Sequence, residues 1–280
     1  MAWWTATDPW AVLPWVAGAA LYARLHGRTE PHGSAGEARG QKLAFYGAMA
    51  AGGLAFAGPL GPAAGRLLSA RMGLDVVLTL VVVPLGLAGI PAAWVAAWRR
   101  GPLGRAWRAM THPIAALLVF NVLFSLLWLP PVAAAARDPG VAWATRVLLT
   151  LAAVTMWWPV LNPARGERLH PGLRLVYLFI AGLLLTPLFA YMTFNAVLLY
   201  PPYVEPTRSV GVDPLNDQRL AGILMKAWAL VAYGAVFVQA FREWVRQDAL
   251  GGRRRRPRPP IDLAAARAAR RGGPYSQSGP

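Results

Sequence analysis

Charged side chains inside long apolar stretches are costly in a bilayer unless paired, so they mark the first places where chemistry could sit. Three stand out: Arg71, Asp75 and Lys226. Arg71 and Asp75 are four residues apart, which puts them on one helix face. Lys226 lies about two turns into a later apolar stretch, at a similar depth. Together they could form a polar site that binds a solute or passes an ion. Equally, they could be a local ion pair and a lysine whose stem reaches the interface. We expect Asp75 to contact Arg71 or Lys226, because attraction strong enough to offset burial needs close approach. A second constellation is Met72, Met192 and Met225. Soft thioethers suit Cu(I), although methionine also fills gaps between packed helices. Asp217 and Gln218 open the last apolar stretch. They could bind a ligand, or Asp217 could cap its own helix, where a carboxylate suits free amides and the helix dipole.

Those residues need membrane helices to hold them. Of the 280 residues, 56% are hydrophobic and 14% charged, against about 25% charged in a soluble globular chain. The composition excludes an ordinary soluble enzyme. Thirteen Trp suit membrane–water interfaces. No Cys is present, which removes disulfides, thiolate metal sites and Cys nucleophiles together. A bilayer core needs about 20 apolar residues in a helix. Seven such stretches fall at 9–25, 43–63, 72–97, 113–136, 142–161, 172–199 and 219–241. Pro84 and Pro91 predict a kink or an early exit near Ile90 in the third. Glycine and alanine at 47–53 predict close packing of the second, inside the bundle or against a partner.

The net charge of +16 would suggest nucleic acid in a soluble protein. Here its placement matters more. Alternate connections are basic: Arg24 to Lys42; Arg99, Arg100, Arg105 and Arg108; Arg165, Arg168 and Arg174; and the C-terminal tail. The others are poor in Arg and Lys. Cytoplasmic loops carry the basic excess, so the pattern predicts an all-α integral membrane protein, a seven-transmembrane-helix bundle with the N-terminus outside and the C-terminus cytoplasmic. The tail, 248–280, includes Arg253, Arg254, Arg255, Arg256 and Arg258. Its composition predicts disorder, with anionic lipid as its partner and a short basic helix at 262–271; no nucleic acid is expected. The four histidines (His26, His32, His112 and His170) all fall on the cytoplasmic side of this topology. No phosphate loop, nucleophile elbow or zinc-protease helix appears, so the protein is not expected to be an enzyme.

Several groups recur in a telling order: Ser69-Ala70-Arg71-Met72 with Pro84 and Gly89-Ile90-Pro91; Phe120-Asn121 with Phe124-Ser125 and Leu129-Pro130; Met156-Trp157-Trp158-Pro159; Thr186-Pro187; Asp217-Gln218 with Met225-Lys226; and Phe241-Arg242-Glu243-Trp244. Over about residues 8–247 the chain resembles the CtaG family of cytochrome c oxidase assembly factors, associated with caa(3)-type oxidases. The resemblance implies a membrane domain over 1–247 in the bacterial plasma membrane. It implies a partner subunit of a haem–copper oxidase and action at the outer face, on that subunit or in copper insertion. It would place histidines at three outer positions that here are Arg71, Asp75 and Trp128. Guanidinium is not a copper ligand, so no cofactor is certain and copper rests on the methionines. Two other readings are a transporter using Arg71, Asp75 and Lys226, and a structural partner that binds no metal.

Overall fold

The computed structural model describes residues 9–26, 35–98, 102–164 and 168–255. Among them the architecture is all-helical, with no strand. A 3-10 turn over Pro9–Val12 leads into α1 (Leu13–His26), and α2 spans Ala35–Ala57. A short α3 (Leu60–Ala63) precedes α4 (Leu68–Val77), a π-helical segment (Leu78–Val82) and α5 (Val83–Gly89), which stack as one rod. Then follow α6 (Ala92–Trp98), α7 (Pro102–Met110), α8 (Pro113–Leu127), α9 (Pro130–Ala135) and α10 (Pro139–Leu161). The chain closes with α11 (Pro171–Leu184), α12 (Thr186–Phe194), α13 (Val204–Arg208) and α14 (Pro214–Arg255). Arg253, Arg254 and Arg255 thus form the end of α14, whereas Arg256, Arg258 and the segment 262–271 lie outside the described residues.

Among the described residues, four helical rods are long and apolar enough to cross a membrane: Leu68–Gly89, Pro139–Leu161, Pro171–Phe194 and Pro214–Ala249. A fifth arises if Gly104–Met110 and Pro113–Leu127 count together, although they bend by 73°. Of the seven sequence stretches, the first falls short because α1 has only 14 residues. The second is diluted by glycine, alanine and the polar start of α2. The fourth breaks at Trp128 and Leu129, ahead of Pro130.

Proline sets most of these boundaries. It opens α8, α9, α10, α11 and α14, where its missing amide is one the helix would not have used. Asp138 caps α10 by accepting from the amides of Gly140 and Val141 at 2.9 and 3.0 Å. The early exit expected near Ile90 is present. Ile90 is extended at ψ 128°, as the residue before a proline must usually be. Just before it, α2 crosses at Gly89. A Cβ there would sit 2.6 Å from Phe45 Cβ and 2.8 Å from the Gln41 carbonyl, so only glycine permits this approach.

Pro84 does not end its rod, which stays helical from Leu68 to Gly89. The π-helical register absorbs it, with the Val83 amide bonded to the Leu78 carbonyl. Continuing that five-residue spacing, Thr79 would look to residue 84, which has no N–H. The Thr79 carbonyl takes its proton instead from the Trp157 indole, at 2.9 Å. Trp157 is fully buried and is the second residue of the Met-Trp-Trp-Pro group.

Packing centres on the Leu68–Gly89 rod and on α10. α14 lies along α4, α11 and α12; α10 lies against α8 and α5; α2 lies against α5 and α1. One continuous core joins Met72, Phe120, Phe124, Trp128, Met156, Trp157, Leu178 and Met225. The small residues of α2 serve internal packing at Gly52, where a Cβ would overlap the Trp15 ring at 2.2 Å. Leu230, Phe194, Phe179 and Leu54 point outward and are among the most exposed large apolar side chains, as a lipid-facing surface requires.

The Trp157 bond gives a direct test. Trp157→Phe keeps most of the ring volume and removes the indole donor to the Thr79 carbonyl. We expect a loss of about 1–3 kcal/mol, the cost of a buried group left unbonded, read as a lower unfolding midpoint in detergent. Trp143→Phe, at an exposed site, should leave the midpoint unchanged.

Candidate functional site

Of the polar side chains singled out by sequence, Arg71, Asp75, Asp217 and Gln218 gather at one end of the bundle, the end that the charge pattern assigns to the outer face. Arg71, in the first turn of α4, is buried at 6% exposure. Its Nη1 donates to the Ala133 carbonyl at 2.7 Å and to the Tyr203 hydroxyl at 3.3 Å. The guanidinium carbon stands 5.1 Å from the centre of the Trp128 ring, a cation–π arrangement that gains strength when water is excluded. One side chain thus ties α4 to the end of α8, to α9 and to the turn before α13.

Asp75 sits one turn further along α4, also buried. The cations acting on it are Arg71 and Arg146. The buried Trp128 indole N–H makes no hydrogen bond of ordinary geometry and lies beside the Asp75 carboxyl. So the three positions at which the resemblance would place histidines, 71, 75 and 128, do converge in space. They converge as a guanidinium, a carboxylate and an indole. Tyr200 completes the wall by donating its hydroxyl to the Trp128 carbonyl at 2.7 Å. Burial, reinforced by Tyr191 and opposed by Arg71, pushes the Tyr200 phenol above its ordinary value, so it stays a donor throughout the physiological range.

Asp217 does not cap its own helix. It accepts from the Leu68 amide at 2.6 Å, the Ser69 amide at 3.3 Å, and the Ser69 hydroxyl. These are the free amides at the start of α4, so the first turn of α14 caps a helix 149 residues away in sequence. Asp213 caps α14 instead, accepting from the Asn216 amide at 2.9 Å. Gln218 faces the other way. Its Oε1 accepts from the Leu199 amide at 2.8 Å, and its Nε2 donates to the carbonyls of Val197 and Met192 at 3.3 and 3.4 Å. Two adjacent residues of α14 therefore fasten α4 and the segment that leaves α12.

Lys226 is not part of this cluster. Its ammonium donates to the Gly182 carbonyl and the Thr186 hydroxyl, each at 2.8 Å, in the turn ahead of the Pro187 break. The expected three-member site fails for a geometric reason. Successive helical residues turn about 100°, and Met225 faces the core. Lys226 is thereby turned toward α11 and α12, away from Asp75.

The methionines Met72, Met192 and Met225 are all fully buried within the one core. α14 packs against both α4 and α12, so the helix bearing Met225 adjoins the helices bearing the other two. Their thioethers are chemically suited to Cu(I). A histidine-based set does not fit here: among the described residues no three His, Cys, Asp or Glu side chains gather as metal ligands. At the opposite end of the bundle, Arg174 pairs with Glu243 at 2.9 Å and bonds the Leu169 carbonyl at 2.7 Å. The Phe241-Arg242-Glu243-Trp244 group could have signalled that pair, since its single acid follows a run of apolar helix.

This geometry can be set beside known proteins. A family model described as "Cytochrome c oxidase caa3 assembly factor" (Caa3_CtaG) matches residues 20–247. The chain belongs to the Caa3_CtaG family. Comparison with curated proteins and with solved structures returned no match. As a CtaG-family chain with several membrane-crossing helices, it is a multi-pass protein of the bacterial plasma membrane. The matched region contains Arg71, Asp75 and Trp128 and both fastening residues of α14.

Asp217→Ala should uncap α4 and lower stability by about 1–2 kcal/mol, the usual worth of an N-cap. Amide exchange at residues 68–70 should rise selectively, while Asp213→Ala should raise it at the start of α14 instead.

Proposed function

We propose that this CtaG-family chain matures a caa3-type oxidase by holding a nascent oxidase subunit at its outer face, through protein contacts. The carrying observation is the Arg71 guanidinium, buried over Trp128 and bonded to Ala133 and Tyr203. It occupies the convergence of positions 71, 75 and 128 with a fixed cation. A cation there repels a copper ion and leaves no imidazole to bind it. It also makes a rigid, polar outer end, which suits a docking surface. In this reading the domain 1–247 crosses the membrane seven times, N-terminus outside. The shorter α1 and the α2–α3 pair serve as two of the crossings, and the basic tail lies on the cytoplasmic leaflet. The chain has no catalytic role of its own.

The competing copper-insertion reading would use Met72, Met192 and Met225. Two measurements decide between them. In cells lacking the chain, assembled and active caa3-type oxidase should fall several-fold. Wild type, Met72→Leu and Met225→Leu should each restore it, while Arg71→Met should not. Purified protein titrated with Cu(I) under reducing conditions should show no tight one-to-one binding. Tight binding lost in either methionine variant would overturn the protein-contact reading and make the thioethers a copper carrier.

A further inference from the structure

Among the described residues, no acid answers the charge of Lys226. Its two acceptors, the Gly182 carbonyl and the Thr186 hydroxyl, are neutral, and among the described residues no carboxylate pairs with it. An ammonium has three N–H groups, so one remains uncommitted. The side chain lines a groove of about 400 Å³ between α11 and α14, whose other walls include Leu178, Gly182, Ala229, Tyr233 and Phe237. From Lys226 to Phe237 the groove follows α14 for about 16 Å, three helical turns.

This groove lies on the open side of the bundle. Over the apolar 18-residue stretch of each rod, only 33% of the one in Pro171–Phe194 and 28% of the one in Pro214–Ala249 are buried, against 61% of the one in Leu68–Gly89. Leu230 and Phe179 flank the groove, 75% and 69% exposed. Lipid tails could cover such a surface, but they would leave the ammonium without a counter-charge. A lipid phosphate stays at headgroup level. Lys226 lies nine residues beyond Asp217, about 13 Å along α14, and the apolar half-bilayer is only about 15 Å deep. Its stem is also held sideways by two acceptors instead of extending to the interface. An anion at that depth is best supplied by another helix, because ionisable groups within membranes pair with one another. Gly182, Ala229 and Gly234 keep the groove floor low enough for a second backbone to approach.

We propose that the α11–α14 groove docks a transmembrane helix of the client subunit bearing an Asp or Glu at the depth of Lys226. The client's identity as an oxidase subunit rests on the assembly reading above; the groove and its need for an acid do not. The test places a benzophenone amino acid at Leu230 of the full-length chain, in membranes of cells making the oxidase. Irradiation should yield an adduct mapping to an acid-bearing transmembrane peptide of an oxidase subunit. Lys226→Met should reduce it about tenfold or more, as an unpaired acid in the membrane is strongly disfavoured, and Lys226→Arg should restore it. Gly234→Leu is a second variant, because a Cβ at Gly234 meets nothing within 4 Å. It should fill the groove without disturbing the Lys226 bonds and abolish the adduct. Adducts to lipid alone, or a protein adduct indifferent to both variants, overturn the docking. An adduct to an acid-bearing helix outside the oxidase upholds the docking and overturns the oxidase assignment. Normal oxidase maturation in the Gly234→Leu variant overturns the docking and leaves the assembly reading intact.

Discussion

A broken helix inside a bilayer releases backbone carbonyls, and with no water to take them each needs a donor from elsewhere in the protein. Much of this structure answers that demand. The Gly89 carbonyl, ahead of Pro91, accepts from the Tyr22 hydroxyl at 2.9 Å. The Thr79 carbonyl, stranded by Pro84, accepts from Trp157. The Trp128 carbonyl, ahead of Pro130, accepts from Tyr200. Within unbroken α10, the Met156 carbonyl also accepts from Tyr177 at 2.6 Å, which ties α11 to α10. The Gly182 carbonyl, ahead of Pro187, accepts from Lys226. Each donor comes from a different helix or segment than its acceptor, so the same bonds that repair the breaks also hold the bundle in register.

Arg71 extends this logic to the outer end. It reaches a carbonyl of α9 and stacks on Trp128, so a charge that would be costly alone becomes the tie between three segments. Asp217 performs the complementary task for the amides of α4. One cation serves a carbonyl and one anion serves two free amides, at the same end of the molecule. A site organised in this way is rigid before any partner arrives, which lowers the ordering cost of docking.

Lys226 sits between the two roles. Its hydrogen bonds repair the Pro187 break, yet a neutral serine or tyrosine donor could do the same without importing a charge. The surplus charge is what separates it from Tyr22, Tyr177 and Tyr200. It also lies on the side of the bundle where α11 and α14 are least covered.

The sequence by itself determined the helical class, the exit at Ile90 ahead of Pro91, the basic stretches that alternate along the chain and the family motifs. These are local properties: apolar length, proline's missing amide and charge density along the chain. It also placed Arg71 and Asp75 on one face, since four-residue spacing is fixed within a helix. Tertiary structure alone decided the partners. Nothing local to Asp217 indicates that its carboxylate caps a helix 149 residues away. Nothing near Lys226 indicates that α11 lies opposite it, and a turn of about 100° per residue separates it from the core-facing Met225. Helical periodicity says which side chains share a face. Only the packing of one helix against the next says what that face meets.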